Sequence, residues 1–232
     1  MNFLLHRFLA KRQIGDALGG IGAMLPDFWR MAHRRMRPRR LEWGSDASPA
    51  ALRLLAGVRH HVESDSWFHA RLGFAREEAE TVAALRGAAA ELNKIGMFGH
   101  AAWEMCLDGA LLLRDGPEQH LQQLREDFGT LDRNILWEVA ARTCSGELAA
   151  DPTFRVTSAR IIDGLLEGSW ILGYCVAEGL VDRLSGIRRR VGLDVIVEPQ
   201  RGRLIDALGG RLEVACDVLP ALLTEAQDHR CG

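Results

Sequence analysis

The chain has 232 residues, with 29 lysines and arginines against 31 aspartates and glutamates, and 47% of it is hydrophobic. This near balance excludes a polycationic nucleic-acid binder and an acidic disordered tail, and the apolar share is enough for a proper core. The five cysteines (Cys106, Cys144, Cys175, Cys216 and Cys231) form no C-x-x-C pair, which speaks against a zinc ribbon or a disulfide framework and for a reducing cytosol.

The opening "MNFLLHRFLAKR" is apolar but short, with no early basic region and no A-x-A site, so it is not read as a signal peptide. Next comes "GGIGAMLPDFWR" (19–30), which puts three glycines, a proline and a lone acid, Asp27, into an otherwise helical pattern. Asp27 reads either as a cap or turn residue, or as a ligand in a crowded site where only glycine lets backbones approach. The arginine-rich stretch that follows, about 31–47, is the least helical part and reads as a loop, with six arginines from Arg30 to Arg40. "SPAALRLLAGVRHHVESDSWFHARL" then predicts a helix with Ser48 as N-cap and Pro49 at its first position.

"REEAETVAALRGAAAELNKI" is alanine-rich with acids in its first turn, a strong helix signal. "GHAAWEMCLDGALLLRDGP" predicts a helix that stops at Gly116 and Pro117. "EQHLQQLREDFGTLDRNILWEVAART" continues in the same style. "TSARIIDGLLEGSWILGYCVAEGLVDRLSGIRRRVG" predicts two helices, or one bent near its glycines. "LDVIVEP" (193–199) is the single strand-like segment, and "RGRLIDALGGRLEVACDVLPALLTEAQ" closes the chain as helix. The expectation is an all-α, single-domain helical bundle over 1–232. No apolar run approaches the roughly 18 residues of a membrane span, so a cytoplasmic protein with no membrane partner is expected.

Two pairs of side chains carry potential chemistry. His61 and Asp65, and likewise His100 and Glu104, stand four residues apart. On a helix that spacing puts both side chains on one face, one turn apart, where they can share a divalent ion. A surface hydrogen bond is the commoner outcome for such a pair. His6 lies among apolar residues, where a core histidine bonded to a backbone carbonyl is the usual reading. His33, His60, His69 and His120 read as solvated or peripheral, with His60 a candidate support for its neighbour His61.

Taken in order, "MNFLLHRFLA", "GGIGAMLPDFWR", "GVRHHVESDSW", "WEMCL" and "SWILGY" followed by "RLSGIRRR" resemble the acyl carrier protein phosphodiesterase family. That family is regarded as a divergent, all-helical relative of the HD-domain metal-dependent phosphohydrolases. Its pattern has an N-terminal M-N-[FY]-L-x-H, a G-x-x-L-x-D-F block, a G-[IV]-x-x-H-x-x-x-D block and a later W-D-H-F-L block. The resemblance extends over most of the chain, and its most specific blocks lie within the first 65 residues.

By position, the resemblance implies that His6, Asp27, His61, Asp65 and Glu104 belong to the metal site, with Asp27 and Asp65 as catalytic acids. Two departures stand in the last block. Met105 replaces the family's histidine, and His100 stands where the family generally has none. Either a ligand has moved one turn along the helix, or the site is degraded and its activity lost or changed. With His100 included, the six side chains offer imidazole and carboxylate ligation without thiolate. That suits Mn²⁺ first, or Mg²⁺ or Fe²⁺, better than a structural zinc.

The activity implied is metal-dependent hydrolysis of the phosphopantetheine–serine phosphodiester of an acyl carrier protein. A non-catalytic binding module of the same fold is one alternative. A phosphohydrolase acting on a nucleotide or another small phosphoester is another. The arginine loop reads either as a solvated connection or as a dock, through Arg34, Arg35, Arg37, Arg39 and Arg40, for an acidic carrier protein. Arg188, Arg189 and Arg190 read as a second basic cluster. Nucleic acid fits less well, for want of a binding motif.

Overall fold

The computed structural model describes residues 3–43, 46–129 and 131–229. The expected span 1–232, positions 44 and 45 of the arginine loop, and Cys231 fall partly or wholly outside the described residues. Within them the protein is all-α, with no strand. The described helices are α1 (Phe3–Ile14), α2 (Ala17–Ala32), α3 (Pro49–His69), α4 (Leu72–Ala89), α5 (Gly99–Asp115), α6 (Pro117–Gly129) and α7 (Arg133–Thr143). After them come α8 (Gly146–Ala150), α9 (Pro152–Glu167), α10 (Ser169–Leu172), α11 (Ala177–Arg190) and α12 (Gln200–Asp228). No described helix is long and apolar enough to cross a membrane.

The expected punctuation is in place where the side chains supply it. Ser48 Oγ accepts from Ala51 N at 3.2 Å and caps α3. Gly116, at φ +91°, ends α5 by donating its N–H to Leu112 O. The helical segment after Pro117 is divided into α6 and α7, and Asp132 caps the start of α7 by accepting from Asn134 N. The strand-like segment 193–199 forms no strand, in keeping with the all-α expectation. Its polar groups go to α11 instead: Ile196 N donates to Ser185 Oγ, and Asp194 O accepts from Arg188 Nε. With no neighbouring strand to pair with, an isolated β segment has no ladder.

The described chain divides into two compact units. The first comprises Phe3–Trp67, Leu121–Glu167 and residues 225–229. Here Asp16 caps α2 through Gly19 N at 2.7 Å. The glycine-rich run of α2 then meets α3 almost backbone to backbone. A Cβ on Gly22 would lie 2.1 Å from Leu54 O, and one on Gly57 would lie 2.0 Å from Gly19 O. No other residue fits either place. The next turn of α3 after Gly57 carries His61, so this crossing decides what His61 touches. On α1, buried Arg7 pairs with Asp127 of α6, which Lys11 Nζ also meets at 3.1 Å.

The arginine loop is seated at its backbone in the same unit. Arg39 N and Arg40 N both donate to Thr143 O, and Arg59 Nε donates to Leu41 O. Met36 is fully buried, whereas Arg34, Arg35, Arg37, Arg39 and Arg40 are exposed.

The second unit comprises Phe68–His120 and Gly168–Thr224. Gly99 opens α5 hard against α4, where a Cβ would lie 2.3 Å from Val82 Cγ2. Arg211 of α12 covers the ring of buried Trp103 and pairs with Glu77 at 2.6 Å. The basic cluster read at 188–190 is reduced by one member. Arg188 is fully buried and serves the backbone, donating to Asn93 O and Asp194 O, while Arg189 and Arg190 are exposed.

Candidate metal centre

In the first unit, the ligand atoms of His6, His61 and Asp65 all lie within 4.8 Å of one another. The histidines are almost fully buried and come from α1 and α3. His61 Nδ1 lies 2.8 Å from Ala23 O. A carbonyl can only accept, so Nδ1 carries the proton and Nε2 keeps its lone pair. His6 Nδ1 lies 3.0 Å from Ser64 Oγ, which itself donates to His61 O at 3.2 Å. The hydroxyl proton is therefore committed, Ser64 accepts from His6 Nδ1–H, and Nε2 is the His6 nitrogen left to face the group.

Burial, together with the charge of His6, pushes the His61 imidazole down to about 4, so it is neutral at physiological pH. The His61 ring thus presents the form that binds metals, and the His6 ring turns Nε2 toward the same group. They lie 4.0 Å apart, centroid to centroid. His6 Nε2 is buried and makes no hydrogen bond, with Asp65 Oδ1 3.7 Å away, too far for one. Asp65 is 41% exposed and opens one side of the group to solvent.

Asp27 is half-buried on α2, one turn beyond Ala23. Its charge acts on His61 and favours the protonated form, although its carboxylate is not one of the three atoms that converge. His60 points elsewhere: its Nε2 lies 3.0 Å from Gln13 Oε1, and Gln13 in turn donates to Ala226 O.

His100 and Glu104 belong to a different group, in the second unit, with His69 as third member. His100 Nε2 lies 3.2 Å, and His69 Nε2 3.7 Å, from the same oxygen, Glu104 Oε1. Glu78 Oε2 approaches the other nitrogen of His100, Nδ1, at 3.4 Å. The hydrogen bond to Glu104 is the main reason the His100 pKa is raised. Burial alone would raise the Glu104 carboxyl, but the bond to His100 and its charge are among the influences that hold it down, at about 2. Met105, next to Glu104 in the chain, is fully buried in the core.

Sequence reasoning brought His6, His61 and Asp65 forward together and placed His100 beside Glu104. It missed His69, read as solvated or peripheral, which is in fact only part-exposed and faces Glu104. The signal was available: His61, Asp65 and His69 follow one another at intervals of four, on one stripe of α3. No protein-family model matches the chain, and neither does any curated protein or solved structure.

Proposed function

We propose that the protein is a divalent-metal-dependent phosphodiesterase acting on the serine-linked phosphopantetheine of an acidic carrier protein. One observation carries this reading: the buried, unbonded Nε2 of His6, facing His61 and Asp65. Leaving a buried polar atom unsatisfied costs about 1–3 kcal/mol, a penalty that ligation would remove. Two imidazoles with fixed ring orientations and one carboxylate form a donor set suited to Mn²⁺ or Fe²⁺. An ion held there would make hydroxide available from water near neutral pH and offset charge developing on a phosphoryl oxygen.

The chain's own residues have distinct parts. Ala23 O and Ser64 Oγ hold the two rings with Nε2 inward. Asp65, on the open side, leaves a path for water and phosphate. Asp27 takes the proton from the attacking water. The new bond forms between water oxygen and phosphorus, the bond from phosphorus to the serine oxygen breaks, and that oxygen leaves protonated. The products are apo-carrier protein and 4′-phosphopantetheine.

The arginine loop supports a protein substrate. Among the described residues, none of Arg34, Arg35, Arg37, Arg39 and Arg40 forms an ion pair, so an acidic partner would meet them unneutralised.

The test is incubation of holo-carrier protein with the Mn²⁺-reconstituted full chain, followed by intact-mass analysis. Conversion to the apo form, stopped by a chelator, is expected. No conversion by a protein shown to carry metal would refute the reading. Turnover of a small phosphodiester alone would keep the chemistry and change the substrate.

A further inference from the structure

We infer that His69, His100 and Glu104 form a second divalent-cation centre, distinct from the one assigned to catalysis. The inference does not depend on the catalytic reading, because it concerns metal binding and uses none of His6, His61 or Asp65.

The geometry of one oxygen decides it. Two imidazole nitrogens approach Glu104 Oε1, at 3.2 and 3.7 Å. A hydrogen bond accounts for the first distance, but 3.7 Å is too long for a second. Ligands about 2.1 Å from a zinc-sized ion lie roughly 3.0–3.5 Å from one another in tetrahedral or octahedral arrangements. The His100 distance falls inside that range and the His69 distance just beyond it, so a small inward shift of the His69 ring would place both nitrogens and the carboxylate around one ion. The two rings lie 4.7 Å apart, and Phe74 meets both edge-on, at 4.6 Å from His69 and 5.4 Å from His100. An aromatic wall therefore restrains both imidazoles on one side.

The outer partner has the form found at histidine-bearing metal sites. A metal-binding histidine commonly gives its other ring nitrogen to a carboxylate, which fixes the ring and raises its basicity. Glu78 Oε2 stands 3.4 Å from His100 Nδ1, behind the nitrogen that faces Glu104. The fold holds this relay in register. Gly99 lets α5 start against Val82, one turn after Glu78 on α4, so that the next residue, His100, comes to Glu78. Glu104 is 4% exposed while His100 is 42% exposed, so the carboxylate is anchored and the centre can be reached from solvent.

Two imidazoles and one carboxylate favour a first-row transition cation such as Zn²⁺ or Fe²⁺ over Mg²⁺ or Ca²⁺. Zinc is the probe of choice because it binds such sites tightly and is redox-inert.

The metal-free full chain is titrated with Zn²⁺ by calorimetry, and bound zinc is counted by elemental analysis after gel filtration. Two equivalents per chain are expected. His100→Ala, at a part-exposed position that leaves the core intact, should bind one, and so should His69→Gln. Asp65→Asn should also fall to one, by losing the other centre, and the combination of His69→Gln with Asp65→Asn should bind none. Circular dichroism checks that each variant is folded. Should His100→Ala or His69→Gln misfold, Glu78→Gln provides the second reading, with an expected weakening of one site by about 10–100-fold.

Three results overturn the inference: unchanged stoichiometry in both folded variants, wild type that binds no zinc, or wild type that binds only one equivalent and loses it completely in every one of these variants. One equivalent lost only with Asp65→Asn refutes the second centre and leaves the catalytic reading standing. One equivalent lost only with His69→Gln or His100→Ala does the reverse.

Discussion

Gly57→Ala is expected to damage both the fold and the metal centre. A Cβ at this position would lie 2.0 Å from Gly19 O, 2.7 Å from Ala23 N and 2.8 Å from the Cα of Gly22. All three are backbone atoms of α2, so no side chain can rotate away, and the helices must separate. Overpacking of this kind costs about 1–3 kcal/mol, and a site walled by backbone falls at the upper end. Separation also stretches the 2.8 Å bond from His61 Nδ1 to Ala23 O, a loss of about 1 kcal/mol. The sum, about 3–4 kcal/mol, lowers the melting temperature of a chain this size by roughly 6–16 °C. Gly87→Ala is the control. It is an exposed helical position with nothing within 4 Å of the added Cβ, so a gain of about 0.5–1 kcal/mol is expected. Thermal unfolding of the metal-free proteins reads both. If Gly57→Ala melts with the wild type, the close helix crossing is not what holds His61 in place.

Asp27→Asn should fold and melt like the wild type but lose most carrier-protein hydrolysis. Normal turnover in the asparagine variant would make Asp27 a structural residue. Replacing Arg34, Arg35 and Arg37 together by glutamine should raise KM for a carrier protein, with the effect shrinking as salt rises, and leave turnover of a small phosphodiester unchanged; equal losses on both substrates would reject docking. The metal-free protein should lose stability as pH falls from about 6.5 to 4. Over that window the unfolded chain takes up a proton that buried His61, with its pKa at about 4, refuses, and the full penalty is about 3 kcal/mol. His60, also lowered to about 4 by burial, acts in the same direction. A urea midpoint unchanged between pH 7 and pH 5 would contradict this.

Much of the architecture is legible in the sequence because it is set locally. Ser48 and Pro49 mark a helix start through their own chemistry, and Gly116 marks a stop through its own backbone freedom. The i,i+4 pairs are legible for the same reason. What escaped depends on partners distant in sequence. Arg188 reads as one of three arginines in a basic cluster, yet it is buried because Asn93 O and Asp194 O are there to receive it. The segment 193–199 has the composition of a strand, but Ser185 and Arg188 claim its polar groups before any strand can. His69 lay at the end of its helix, and only the fold brings Glu104 to it. The grouping of His100 and Glu104 with His69 likewise rests on α5 starting against α4 at Gly99.

The most direct measurement is the metal content of His61→Ala beside wild type, both purified and dialysed identically and counted per chain. His61 contributes a neutral Nε2 held inward by Ala23 O, and its removal takes away a buried ligand that no neighbour replaces within the group. The variant is expected to have lost one equivalent of metal, and carrier-protein hydrolysis with it. A folded His61→Ala protein with the wild-type metal content would contradict the centre formed by His6, His61 and Asp65.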